Sequence, residues 1–236
     1  MTTFRERLAS VEERIAAACR RANRERGGVR LMAVSKTHPA SAICKAAESG
    51  MALFGENRVQ EFDAKRAGLP EGIEVHLIGH LQSNKAAKAA AIFSSVDTVD
   101  SLRLLERLDS AAAESTRRLP VLLEMKLSGE AAKTGFDPAG TELREALERA
   151  ADLKHVEVRG LMTIAPLDES PETARACFRR LRELREELAR RYPQLHLDEL
   201  SMGMSGDFEL AIEEGSTLVR IGTALFGARD YSRQPR

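Results

Sequence analysis

The 236-residue sequence predicts an α/β fold: a single (β/α)8 barrel of the TIM type with an extra helix ahead of its first strand. Three observations carry this. Eight short apolar runs alternate with helical patterns, which implies parallel strands joined by right-handed crossovers. No Pro/Gly/Ser-rich linker, repeat or low-complexity tract divides the chain. A doubly wound sheet would also satisfy the alternation, but eight units in about 200 residues favour a closed barrel. The whole chain, 1–236, is therefore expected to be one domain, with the extra helix at about 3–26 and the barrel at about 30–227.

The extra helix rests on Phe4, Leu8, Val11, Ile15, Ala18 and Ala22, which recur at helical spacing. Thr3 and Glu6 form a capping-box pattern at its start, and Gly27-Gly28 ends it. The barrel opens with a strand at Leu31–Ser35 and a helix at Ser41–Ser49, then a strand at Ala52–Phe54 and a helix at Val59–Ala67. Strand Val75–Ile78 precedes helix Lys85–Ala91, and strand Ser95–Val99 precedes helix Ser101–Thr116. Strand Val121–Lys126 and helix Thr141–Ala151 follow, then strand Glu157–Met162. The next helix, Pro171–Tyr192, is well marked: Ser170 caps it, Pro171 takes the first helical position, and Ala174, Cys177, Leu181, Leu184 and Leu188 make one stripe. Strand Leu197–Ser201, helix Asp207–Glu214 and strand Thr217–Ile221 complete the barrel.

Composition narrows the function classes. Hydrophobic residues are 43% and charged residues 31%, which suits a folded chain with a sizeable core. Thirty-six basic residues balance thirty-six acidic ones, which argues against nucleic acid as a partner. Cys19, Cys44 and Cys177 form no CxxC pair, so neither a disulfide framework nor a zinc site is indicated, and no carboxylate or histidine cluster suggests another metal. The N-terminal segment carries alternating charge instead of an apolar signal region, and no run approaches 18 apolar residues. The expectation is a cytoplasmic protein, monomeric, with no membrane partner.

Functional groups of such barrels gather where strands end and loops begin. Those positions hold Lys36, Glu56, Asn57, His80, the Ser201–Asp207 loop, Arg220 and Gly222-Thr223. Lys36 shares a strand face with Met32 and Val34 by alternation. Partial desolvation there would favour the free amine, the state that attacks an aldehyde to form an imine; the bland alternative is a solvated or ion-paired lysine. The small residues of Ser201-Met-Gly-Met-Ser-Gly-Asp can aim backbone amides at an anion, and Gly222-Thr223 can add further amides and a hydroxyl. The competing reading is a plain turn with Asp207 as a helix cap. With both loops present, a phosphate site is favoured. Arg220 interrupts an apolar strand and must face a ligand or an internal partner such as Glu56, since it cannot shed its charge. His80 reads equally as a core histidine, and Asn57 as a residue tying down its own loop.

Seven ordered motifs carry a resemblance. They are Ala33-Val-Ser-Lys-Thr-His38, Phe54-Gly-Glu-Asn-Arg-Val-Gln-Glu61, Ile78-Gly-His-Leu-Gln-Ser-Asn-Lys85, Ser128-Gly-Glu130, Gly160-Leu-Met-Thr-Ile-Ala-Pro166, Leu200-Ser-Met-Gly-Met-Ser205 with Asp207-Phe208, and Val219-Arg-Ile-Gly-Thr223 with Leu225-Phe-Gly227. The chain resembles the pyridoxal phosphate homeostasis proteins, the YggS/PROSC family, which are similar to the barrel domain of alanine racemase. The resemblance implies that Lys36 forms the imine with pyridoxal 5'-phosphate. It implies that Ser205, Gly222 and Thr223 bind the phosphate, that Arg220 faces the pyridine nitrogen, and that Asn57, Met202 and His80 lie at the pocket. Met125-Lys126 departs from the family, which usually reads Val-Asn there.

Racemases of this kind carry a second, β-rich domain that supplies an opposing tyrosine base, and two-base proton transfer needs groups on both faces of the substrate. Here the barrel is followed only by Ala228–Arg236, where Tyr231 is a poor substitute. The expectation is therefore a non-catalytic carrier that holds the cofactor and releases it to apo-enzymes. A weak pyridoxal-phosphate-dependent racemase stays open beside it, as does a cofactor-free Schiff-base lyase acting on phosphorylated sugars through Lys36.

Overall fold

Eight parallel strands pair in chain order, β1 to β8, and β1 pairs with β8 to close the barrel in the computed structural model. The structure describes residues 2–115, 117–127, 134–166 and 170–227. The Ser128–Glu130 motif, Thr116 and the tail from Ala228, with Tyr231, lie outside the described residues.

The chain begins with α1 (Phe4–Arg21), whose capping box is formed as expected: Thr3 Oγ1 accepts from the Glu6 N–H and Glu6 accepts from the Thr3 N–H. The strands are β1 (Arg30–Val34), β2 (Leu53–Glu56), β3 (Glu74–Leu77), β4 (Ser95–Val99), β5 (Leu119–Glu124), β6 (Val156–Met162), β7 (Glu199–Ser201) and β8 (Leu218–Ile221). The crossover helices are α2 (Ala40–Glu48), α3 (Val59–Lys65), α4 (Ala86–Ile92), α5 (Leu102–Ala112), α6 (Thr141–Ala150), α7 (Pro171–Arg191) and α8 (Phe208–Glu213). A four-residue helix, α9 (Thr223–Phe226), follows β8 and has no counterpart in the sequence expectation.

Some bounds differ from that expectation: α1 stops at Arg21, where Asn23 takes a left-handed φ of +52°, and Gly27-Gly28 belong to a separate 3-10 turn. β2 runs on through Glu56, because Glu56 pairs with Leu77 of β3; ladder pairing fixes a strand's end, and apolar composition only approximates it. Lys85 belongs to a tight 3-10 turn, Ser83–Lys85, that leads into α4.

The extra helix is more than an appendage. α1 packs against α8, α9 and α2. Val11, Ile15, Ala18 and Cys19 bury the inner face of α1. Arg14 pairs with Glu209 at 2.9 Å and Arg21 with Glu213 at 2.7 Å.

Alternation along the strands divides the core in two. A large apolar layer between strands and helices takes Leu31, Ala33, Phe54, Val75, Leu77, Leu123 and Met125. A small cluster of Met32, Leu53 and Leu218, with Ile78 against it, fills the lumen. At the N-terminal end of the lumen lies a polar group: His76 Nδ1 is 3.0 Å from Asp97 Oδ2, and Ser95 Oγ donates to Asp97 Oδ1 at 2.6 Å. Burial alone would lower the His76 pKa, but the Asp97 carboxylate, with help from Glu74, raises it to about 9.

Candidate functional site

At the C-terminal end of the barrel the lumen face continues past the apolar plug. On β1 it runs through Met32 and Val34 to Lys36, which sits half-buried in the turn directly after the strand. Thr37, the next residue, holds φ +67°, a left-handed conformation that a β-branched residue rarely takes. On β8 the same face runs from Leu218 through Arg220 to Gly222. Val34, Lys36, His38, Gly222, Thr223 and Gly227 line one recess, so the lysine and the turn after β8 share a wall.

The loop after β7 joins that turn. Ser205 Oγ accepts a hydrogen bond from the Ala224 N–H at 3.3 Å, which brings the two loops that sequence reading assigned to phosphate against each other. Gly203, at φ +96°, is required twice over, since a Cβ there would lie 2.6 Å from Ala211 Cβ and 2.9 Å from Phe208 Cα. Asp207 precedes α8, but its carboxylate makes no cap bond to the helix; it accepts from the Met204 N–H at 2.6 Å and braces the loop instead. α9 is anchored from below. His38 stacks on Phe226 with ring centroids 4.6 Å apart, Phe4 of α1 adds a tilted contact, and Arg7 donates to the Leu225 carbonyl.

Arg220 is 4% exposed. Its guanidinium donates to Ser201 Oγ at 2.7 Å and to the Thr163 carbonyl at 2.9 Å. The alternative partner, Glu56, is not used. Glu56 alternates with Gly55, whose Cβ position faces Met32 and Ile78 in the lumen, so the carboxylate lies on the outer side of the barrel wall. There it meets Lys65 Nζ at 2.7 Å.

The remaining expected residues fall into place unevenly. Asn57 is half-buried immediately after β2, and its backbone is so close to Gly79 that a Cβ on Gly79 would sit 2.2 Å from the Asn57 carbonyl oxygen. His80 is not a core histidine: its side chain is 53% exposed, and Nδ1 lies 3.1 Å from Asp100 Oδ2 at the barrel mouth. The buried histidine is His76, at the opposite end. Met202 follows β7 and is fully buried in the apolar layer behind the strands, so it backs the loop from outside the lumen.

Sequence reading passed over Glu124. Its neighbours Leu123 and Met125 belong to the outer layer, so Glu124 faces the lumen at the end of β5, 8% exposed. Burial first, and the Asp100 carboxylate second, push its pKa up to about 7. Lys126, half of the family departure, is half-buried just beyond β5, with its N–H donating to the Phe136 carbonyl at 2.9 Å. The signal was available as a lone acid ending an apolar strand, but nothing local says which way it points.

The arrangement sets an amine, able to form an imine with an aldehyde, beside two small-residue loops able to offer amides to an anion, with the buried Arg220 guanidinium on the same strand face as Gly222. Among the described residues, no group of three or more His, Cys, Asp or Glu could hold a metal ion. No helix of the described residues is long and apolar enough to cross a membrane.

Residues 7–230 match the family model of the alanine racemase N-terminal domain. The pyridoxal phosphate homeostasis protein of Aquifex aeolicus is 44% identical over 227 residues, covering 96% of this chain and 98% of that one. That of Escherichia coli K12 is 43% identical over 239 residues, covering 99% and 100%. Among solved structures, PipY of Synechococcus elongatus with pyridoxal phosphate bound superposes with a TM-score of 0.84 at 45% identity, over 95% of this chain and all of PipY. The alanine racemase of Streptomyces coelicolor shares the fold, with a TM-score of 0.72 at 21% identity; 94% of this chain matches only 59% of the racemase.

Proposed function

The chain belongs to the pyridoxal phosphate homeostasis protein family, and from that membership we propose that it binds pyridoxal 5'-phosphate through a Lys36 imine and serves cofactor homeostasis without robust catalysis. The observation that carries the reading is the shared recess of Lys36, Gly222 and Thr223 beside Ser205. Its support is a PipY structure, 45% identical, described with pyridoxal phosphate bound. When bound, the cofactor supplies an aldehyde carbon to which the Lys36 nitrogen forms a C=N bond, the aldehyde oxygen leaving as water with the two amine protons.

This chain's own residues do the rest. Ser205 Oγ and the backbone of Gly222-Thr223 bind phosphate oxygens. Arg220 cannot donate its proton away, so a ring nitrogen facing it stays unprotonated. Such a nitrogen is a weaker electron sink than a protonated one. Asn57 and His80 line the mouth, and Met202 packs behind the loop after β7. The noncatalytic reading draws on the names of relatives matched over 98–100% of their length. Transfer to apo-enzymes, a monomeric state and a cytoplasmic location belong to the same proposal.

Borohydride reduction of the protein loaded with pyridoxal 5'-phosphate, followed by peptide mapping, tests it. The expected adduct is on Lys36 and is absent from Lys36→Ala. An adduct confined to another lysine overturns the site. Turnover of single amino acids well above that of free cofactor overturns the carrier role in favour of a racemase, and a protein that takes up no cofactor would favour the lyase.

A further inference from the structure

A second charged cluster lies directly behind Lys36, on the outer side of the barrel wall. Lys65, the last residue of α3, is 9% exposed, and its Nζ reaches four oxygens. Two are carboxylates, Glu56 Oε1 at 2.7 Å and Glu61 Oε1 at 3.2 Å. The other two are the main-chain carbonyls of Ser35, at 3.4 Å, and His38, at 3.1 Å, which flank the Lys36-Thr37 turn. The carboxylates grip the same segment. Glu56 accepts from Ser35 Oγ, and Glu61 Oε1 accepts from the Thr37 N–H at 2.6 Å. The segment from Ser35 to His38 is thus tied on both sides of Lys36 to the β2–α3 unit.

Stability alone explains this poorly. A buried ion pair replaced by apolar residues is often neutral or stabilising, because desolvation offsets the attraction. What the cluster does achieve is geometric. A left-handed conformation at a β-branched residue such as Thr37 is strained and persists only where its surroundings over-determine it. Here the amide of that residue and the carbonyls on either side of the turn are all held.

We propose that Lys65 is a positioning residue for Lys36: with Glu56 and Glu61 it clamps the Ser35–His38 turn so that the Lys36 amine is delivered into the recess beside Gly222 and Thr223. The proposal rests on Lys36 being the imine-forming residue. Lys65 lies behind the wall and touches no cofactor, so it should control the rate of bond formation and leave the grip on the phosphate alone. Small misplacements of a reacting group can cost about a hundredfold in rate, which sets the scale of effect to expect.

The test mixes apo-protein with pyridoxal 5'-phosphate and follows the imine absorbance by stopped flow. Alongside, calorimetry measures binding of pyridoxine 5'-phosphate, which has the ring and phosphate but no aldehyde. Lys65→Met should slow imine formation about tenfold or more while pyridoxine 5'-phosphate affinity stays within about twofold. Should Lys65→Met not fold, the half-buried Glu61 decides: Glu61→Ala should slow the reaction about threefold or more, and Glu61→Gln, whose amide oxygen still accepts from the Thr37 N–H, should restore it. Unchanged imine rates overturn the proposal, and so does a loss of pyridoxine 5'-phosphate affinity in the same proportion, which would mark a general structural defect. An imine band that survives in Lys36→Ala would instead refute the reading of Lys36, whatever Lys65 does.

Discussion

Glu124 shows how much one residue's chemistry depends on where the fold points it. Its pKa lies at about 7 in the folded protein, raised from 4.5 by burial and by Asp100. A carboxyl whose folded pKa is raised contributes its stability fully below the unfolded value, and loses it as pH rises through the folded one. Glu124→Gln should therefore match the wild type near pH 4 and exceed it above about pH 8, by at most about 3 kcal/mol. Urea unfolding at the two pH values measures this, and equal stabilities at both would show Glu124 to be unperturbed. Lys36 and Arg220 stood out in the sequence because a charge after or within an apolar strand needs a partner or a ligand, and Arg220 finds internal partners in Ser201 and Thr163. Glu56 was legible only as a polar residue near a strand end. Its neighbours in sequence do not reveal that β2 extends through it, or that Lys65 meets it behind the wall.

At the scale of elements, the local signals were sufficient for the start of α1 and for α7, although α1 stops at Arg21, ahead of the expected Gly27-Gly28. A capping box opens one, a Ser cap with Pro at the first helical position opens the other, and each carries an apolar stripe that the structure buries. The loop after β7 illustrates the opposite case. Its glycines looked like material for an anion site, while the constraint on Gly203 comes from α8 packing against it. Gly203→Ala should cost about 2–4 kcal/mol, combining left-handed strain with a clash against Ala211 and Phe208. It should also weaken pyridoxal 5'-phosphate retention, because Ser205 is carried on the same loop. Thermal unfolding and equilibrium dialysis would check the two effects, and a variant with wild-type Tm would show that the loop relaxes freely. α9 escaped notice because four residues are too few for a period, and its anchors, Phe4, Arg7 and His38, lie near the other end of the chain.

At the scale of the whole molecule, the barrel separates two polar ends of its lumen around the plug of Met32, Leu53 and Leu218. The C-terminal end holds the candidate cofactor site, and the N-terminal end holds the His76–Asp97 pair. With a folded pKa of about 9 against 6.5 unfolded, His76 contributes stability fully below about pH 6.5 and loses it as pH rises through about 9. Wild type should lose up to about 3 kcal/mol between pH 6.5 and 10 from this group, and His76→Gln, already less stable at pH 6.5, should be flatter across that range. Parallel declines in denaturant titrations of the two proteins would exclude the pair as a source of alkaline instability. The sequence by itself indicated a (β/α)8 barrel, the family and the polar residues at strand ends. Those follow from periodicity, caps and motif order, all written in near neighbours along the chain. Only the tertiary structure decided which face of the wall each charge occupies, that α1 packs between α8 and α2, and that Lys65 grips the turn bearing Lys36. These depend on strand register and helix packing, which join residues far apart in sequence and leave no local pattern in it.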